Sequence, residues 1–289
     1  MLLNIQRSFE LDWKTLKILC LDLSYEVKSK NIRTFAGSAA FFFFLSMVPT
    51  MMMLCSLLPF TSITLQELEQ TVTTFMPDFT HEIMISMISE AYYRSVSLLS
   101  FAAIFTLWSG AKGMMALIDG INVMDDIEDR RNYFVVRLLA AFYTIVLIVI
   151  IVVLIGFSLV WGLISNYLER SNARLAALLN FFMNFRFVVI FMILMLLFLL
   201  MYRFVPAKKV SLRSQIPGAI IASLGWSILS LAFSIYVNNL GGFTIYGTFA
   251  SLIVIMVWLY SCMYLLFIGA YINKFIEMKS YKPFLDVVN

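Results

Sequence analysis

From Phe35 onward the chain runs in long apolar blocks separated by short polar breaks. A helix that crosses the ~30 Å hydrocarbon core of a bilayer needs about 20 mostly apolar residues. Four blocks meet that length on their own: Phe35–Phe60, Val96–Asp119 with Lys112 inside it, Leu138–Ser165, and Leu178–Tyr202 with Arg186 near its start. Two more come from Ser214–Asn273, which holds no charged side chain. The turn signal Asn238-Asn239-Leu240-Gly241-Gly242 divides that stretch into two spans. The pattern predicts an all-α, polytopic membrane protein with six transmembrane helices.

The polar segments between and before these blocks also carry a pattern. Phe9, Trp13, Leu16, Cys20, Leu23 and Val27 recur at helical spacing, with Lys14, Lys17, Asp22 and Glu26 off that face. Residues 1–34 are therefore expected to form an amphipathic segment, lying on the membrane surface or packed on the protein's own loops. Residues 35–273 form the six-helix domain, and 274–289 a short tail. Inside the domain, the long loop 61–95 holds one stripe of Leu65, Leu68, Val72 and Phe75, ended by Pro77. Ile83, Met87 and Ala91 begin another, so two short helices are expected over the outer face. They read as a solvated cap or, more sharply, as an entrance filter.

Composition excludes a soluble fold. Apolar residues make up 62% of the 289 positions, against roughly 45–50% in soluble domains. Charged residues make up 13%, and the mean hydropathy is +0.91. The first apolar block starts too far from Met1 and is too long for a cleaved signal peptide, so it is expected to remain as a membrane helix.

The net charge of +4 matters less than where the cations sit. Counted by alternate connections, 17 of the 21 Lys and Arg residues fall on one side. That side holds both termini, which the positive-inside rule places in the cytoplasm.

Sparse charge leaves sparse chemistry. Cys20, Cys55 and Cys262 give no disulfide framework, and His81 is the sole histidine, so no metal-ligand spacing and no cofactor are expected. No nucleophile elbow, P-loop, zinc-protease or dinucleotide fingerprint is present, and the basic residues follow topology rather than a nucleic-acid-binding stripe. The expectation is a protein that is not an enzyme.

Ionisable groups inside the apolar blocks then become the site candidates. Trp108, Lys112, Asp119 and Asn122 share one helical face in the second block. Lys112 and Asp119 either share a polar cavity, or Lys112 snorkels to the headgroups beside an ordinary helix-end carboxylate. Arg186, with Asn180 and Asn184 near it, reads as an anchor or an anion site at the opposite surface. Tyr260 and Tyr264 share a face in the last block with Tyr271, suited to a polar path or to bonds between helices. Gly218, Ala222 and Gly225 suit close helix packing.

Four stretches taken in order resemble the YihY/virulence factor BrkB family of bacterial inner-membrane proteins. They are TFAGSAAFFFFLSMVP (Thr34–Pro49), MALIDGINVMDDIEDRRNYFVVR (Met115–Arg137), YRFVPAKKVSLRSQIPGA (Tyr202–Ala219) and YGTFASLIVIMVWLYSCMYLLFIGAYIN (Tyr246–Asn273). The stretch Asp119–Asp129 is more acidic than that pattern, which counts against an anion site there. The resemblance implies a six-span plasma-membrane protein linked to envelope integrity, virulence and transport, including of lipids. It also implies an old ribonuclease BN label, for which this sequence shows no metal-nuclease ligand cluster. The leading expectation is transport of a lipid or polar solute. The rival is a scaffold or envelope-assembly factor. The expected partners are membrane lipids, a second copy or envelope proteins, and no nucleic acid.

Overall fold

The computed structural model describes residues 13–57, 64–76, 80–92, 99–171, 186–208, 210–239 and 247–285. Within them the protein is all-helical. The helices are α1 (Trp13–Ser29), α2 (Ile32–Leu57), α3 (Leu65–Phe75), α4 (His81–Tyr92), α5 (Leu99–Met124), α6 (Tyr133–Ser171), α7 (Arg186–Phe204), α8 (Leu212–Asn239) and α9 (Gly247–Leu285). Five of them, α2, α5, α6, α8 and α9, are long and apolar enough to cross a membrane. In α7 the apolar stretch Phe191–Phe204 is shorter.

The helix boundaries follow local chemistry. α1 ends where Asn31 takes a left-handed φ of 52°, a conformation asparagine tolerates better than most side chains. The Asn31 carbonyl then accepts from the Thr34 N–H, starting α2. Thr64 and Glu67 cap α3 reciprocally, the Thr64 hydroxyl accepting from the Glu67 N–H and the Glu67 carboxylate from the Thr64 N–H. At the start of α6, the Asn132 side chain accepts from the Phe134 N–H at 3.1 Å, an N-cap that stops the preceding loop.

Small residues set the closest packing. α2 lies along α5, with Ala36, Ala39 and Ala40 buried, Gly113 against the Phe43 ring and Gly120 against Phe267. α8 lies along α9, and Gly218 stands against the Gly269 carbonyl. The short helices α3 and α4 pack into this body rather than float over it. Leu68, Val72, Ile83, Met84 and Ile88 are buried, and the Ile88 carbonyl lies 3.4 Å from the Cys55 thiol. The buried face of α4 thus centres on Ile83, Met84 and Ile88; of the expected stripe, Ile83 is buried and Met87 packs against the core, while the Ala91 side chain lies outside the described residues.

Opposite that core, the outer faces carry large apolar side chains. Phe134 is 77% exposed, Leu138 74%, Ile104 69% and Phe101 66%. An apolar belt of this size in water would be an aggregation surface; against lipid tails it is the expected solvent contact.

Candidate functional site

Two polar regions stand out from the apolar body, one saturated with ion pairs and one not. The saturated region gathers the end of α1, the loop after α5 and the last third of α9. Lys30 pairs with Glu26 at 2.6 Å and with Asp126, and donates to the Met124 carbonyl at 3.2 Å. Lys274 pairs with Asp126 at 2.5 Å and Glu26 at 3.4 Å. Tyr271, fully buried, donates to Asp22 at 2.7 Å. α1 is thereby tied to α9 across nearly the whole length of the sequence.

The loop carboxylates feel this arrangement differently. Burial pushes Asp125 up to about 7; Glu277 and Asp126 add to the rise, while Lys274 and Lys30 oppose it. Burial would raise Asp126 too, but hydrogen bonds from Lys274 and Lys30 outweigh it and hold that carboxyl below the usual range.

Beside this region, Arg131 grips Asp129 with its side chain at 2.5–3.1 Å and its own backbone N–H at 3.0 Å. That grip holds Asp129 below the usual carboxylate range. Asn122, 2% exposed, donates to Asp129 at 3.1 Å and accepts from the Ala207 N–H at 2.9 Å. It joins α5, the loop after it and the turn after α7. Its place in the predicted stripe is real, but both ends of its amide are committed to structure.

The unsaturated region lies farther along α5. Lys112 sits at the midpoint of the apolar stretch Ser100–Met124, about 18 Å from either end at ~1.5 Å per residue. Five helical residues follow Asp119, so α5 runs on past the end of the apolar block read from the sequence. Its ammonium lies over the Trp108 ring at 4.3 Å and the Phe42 ring at 5.0 Å. Side chains on a helix tilt toward its N-terminus, which carries Lys112 toward Trp108 and away from Asp119. Lys112 and Asp119 form no ion pair, and Asp119, half-buried, has no hydrogen-bond partner among the described residues.

A second cation reaches the backbone of Trp108. Arg137 belongs to α6, which runs antiparallel to α5 with Thr144 against Gly110. Arg137 stands two turns before Thr144, yet its guanidinium extends to the Met115 sulfur at 3.3 Å and the Trp108 carbonyl at 3.4 Å. Neither Lys112 nor Arg137 has a carboxylate partner among the described residues. Trp108, between them, is 43% exposed on the outer face. Sequence reasoning counted Arg137 only as a flanking charge, because nothing in helical spacing shows a side chain crossing to the neighbouring helix.

Tyr260 and Tyr264 stack on each other with centroids 6.2 Å apart, both half-buried on α9. Tyr271 leaves that pair and joins the ion-paired end instead. Asn180 and Asn184 lie outside the described residues, as does the side chain of Arg186.

Five apolar helices of membrane-crossing length and a lipid-compatible outer belt, among the described residues, define a multi-pass helical membrane protein. The sequence pattern of the family described as virulence factor BrkB matches residues 23–285, and the chain belongs to that family. It is 29% identical over 258 residues to the ribonuclease-like protein YfkH of Bacillus subtilis (strain 168), covering 86% of this chain and 91% of that one. It is 30% identical over 90 residues to a UPF0761 membrane protein of Vibrio vulnificus (strain YJ016), covering 30% of this chain and 29% of that one. A UPF0761 membrane protein of Nitrosospira multiformis is 28% identical over 89 residues, 30% of this chain and 21% of that one. No solved structure matches.

Proposed function

We propose that this chain translocates a lipid or polar solute across a bacterial plasma membrane, with six spans and both termini in the cytoplasm. The observation that supports it is the contrast between its cations. Lys30, Lys274 and Arg131 are each held by carboxylates. Lys112 and Arg137, in the apolar part of the bundle, are held by rings, a sulfur and one backbone carbonyl. A charge inside the hydrocarbon is costly and persists where it meets a substrate, water or a partner. Asp119, seven residues along the same helix, makes no ion pair with Lys112.

A transport path along α5 predicts that purified protein in liposomes moves a labelled phospholipid between leaflets. Lys112→Ala and Asp119→Asn, singly and together, are expected to slow that movement. Unchanged flux with preserved folding would remove α5 from the path.

The scaffold reading draws on the other region. The ion-paired end clamps α1 onto α9, a rigid platform at one face. It is favoured if flux is absent from liposomes and Glu26→Ala abolishes cellular function while leaving the spans folded.

A further inference from the structure

We propose that Lys112 and Arg137 form a binding site for the phosphodiester of an anionic phospholipid, entered sideways from the bilayer. The proposal rests on the translocation reading above and names the substrate class of the same path.

The chemistry of the donors comes first. An ammonium offers three donors and no acceptor, and a guanidinium five in a planar fork. Among the described residues Lys112 makes only ring contacts. Arg137 makes one bond to a thioether, a weak acceptor, and one to a carbonyl on a neighbouring helix. Most of these donors are therefore unspent. What completes such a pair must be an anion with several oxygens. Phosphate oxygens match the arginine fork two at a time, while lysine adds a point charge.

Position then selects a lipid over a free ion. Trp108 is open to the outer face between the two cations. On α5 the exposed Phe101 and Ile104 continue from it, and on α6 the exposed Phe134 and Leu138 flank Arg137. These are apolar surfaces on which acyl chains lie, and they meet at the charged pair. A soluble anion would have to cross that apolar rim, whereas a phospholipid already sits beside it with its chains in place. Depth adds the final point. Lys112 stands at the midpoint of a 25-residue apolar stretch, about 18 Å from either end, a position that suits a headgroup in passage rather than an annular lipid at the interface.

The test uses the full chain purified in a neutral detergent, with bound lipid counted by native mass spectrometry. Short-chain phosphatidylglycerol, the matching diacylglycerol without phosphate, and inorganic phosphate are the three probes. Phosphatidylglycerol is expected to bind, diacylglycerol to bind at least tenfold more weakly, and millimolar inorganic phosphate not to displace the lipid. Lys112→Gln and Arg137→Gln should each weaken phosphatidylglycerol binding by about tenfold, the scale of one charge-assisted hydrogen bond. Arg137→Lys, which keeps the charge but not the fork, should fall between. Diacylglycerol binding as tightly as phosphatidylglycerol to the unaltered protein overturns the proposal without any variant having to fold. Displacement by inorganic phosphate overturns the lipid as the source. Glutamine variants that bind like the original while folded overturn the assignment of the two cations. Binding that needs both cations while leaflet exchange continues without them upholds the site and sinks the translocation reading. Exchange lost with binding intact does the reverse.

Discussion

Gly218 on α8 stands so close to the carbonyl oxygen of Gly269 on α9 that no side chain fits between them. Without a hydrophobic drive between helices in lipid, such backbone approach lets dispersion and hydrogen bonds join them. The Gly218 N–H donates to the Asn273 side chain at 2.7 Å, and Asn273 donates to Gln215 at 2.9 Å. The Tyr202 hydroxyl, against Gly269, donates to the Leu266 carbonyl at 2.6 Å. α7, α8 and α9 are locked here by groups that are all buried.

Gly218→Ala should therefore destabilise the protein by about 1–3 kcal/mol or more, because the obstacle is backbone and cannot swing away. Asn273→Ala should cost about 1–3 kcal/mol by removing the acceptor of the Gly218 N–H and stranding the Gln215 side-chain oxygen. The measurement is the thermal midpoint in detergent. Gly37, whose added methyl would meet nothing, provides the control: Gly37→Ala should leave the midpoint unchanged or raise it slightly, alanine being the better helix former.

Asp125 makes stability depend on pH in an unusual direction for a carboxylate. Its pKa is about 7 in the folded protein and about 3.9 in an unfolded chain. Between those values the folded state holds the extra proton, so stability falls as pH rises from about 4 to about 7 and is then flat. Asp125→Asn should raise the midpoint at pH 8 and leave it unchanged at pH 4.5. Asp126, held below the usual range, acts oppositely and loses its contribution as pH falls below about 4. A midpoint that Asp125→Asn lowers at pH 8 would count against the burial argument.

Tyr271→Phe and Glu26→Ala should each loosen α1 without unfolding the spans. The first removes the bond to Asp22, a hydrogen bond to a charged group of roughly 1.5–3 kcal/mol. The second leaves Lys30 and Lys274 sharing Asp126 alone. Limited proteolysis between Lys14 and Lys30 should become faster, while the midpoint of the membrane part changes little.

Thr64→Ala removes the hydroxyl that caps α3 and should destabilise that helix by about 1 kcal/mol. Hydrogen exchange at Glu67 and its neighbours should speed up, with α5 unaffected. Equal protection in both proteins would show that burial of Leu68 and Val72 holds α3 without its cap.

What the sequence determined by itself was whatever depends on local pattern. Length and hydropathy locate five long apolar helices, though some ends differ by about a dozen residues, because crossing hydrocarbon demands a continuous apolar run whatever its neighbours are. The two short helices of residues 61–95 and the shared face of Trp108, Lys112, Asp119 and Asn122 were legible from helical spacing instead. The tertiary structure alone decided what each of those residues does. Asn122 and Asp119 lie on one face of α5, but one is bonded to Asp129 and Ala207 and the other has no hydrogen-bond partner among the described residues, and that depends on the loop after α5 and on a turn 85 residues away. Arg137 looked like a boundary charge until its guanidinium was seen to reach Trp108 on the neighbouring helix. Lys30, Glu26, Asp126 and Lys274 meet although no periodicity links them. Periodicity reports which side of a helix a residue faces. Which helix stands on that side, and what its side chains bring, is set by packing between segments far apart in sequence.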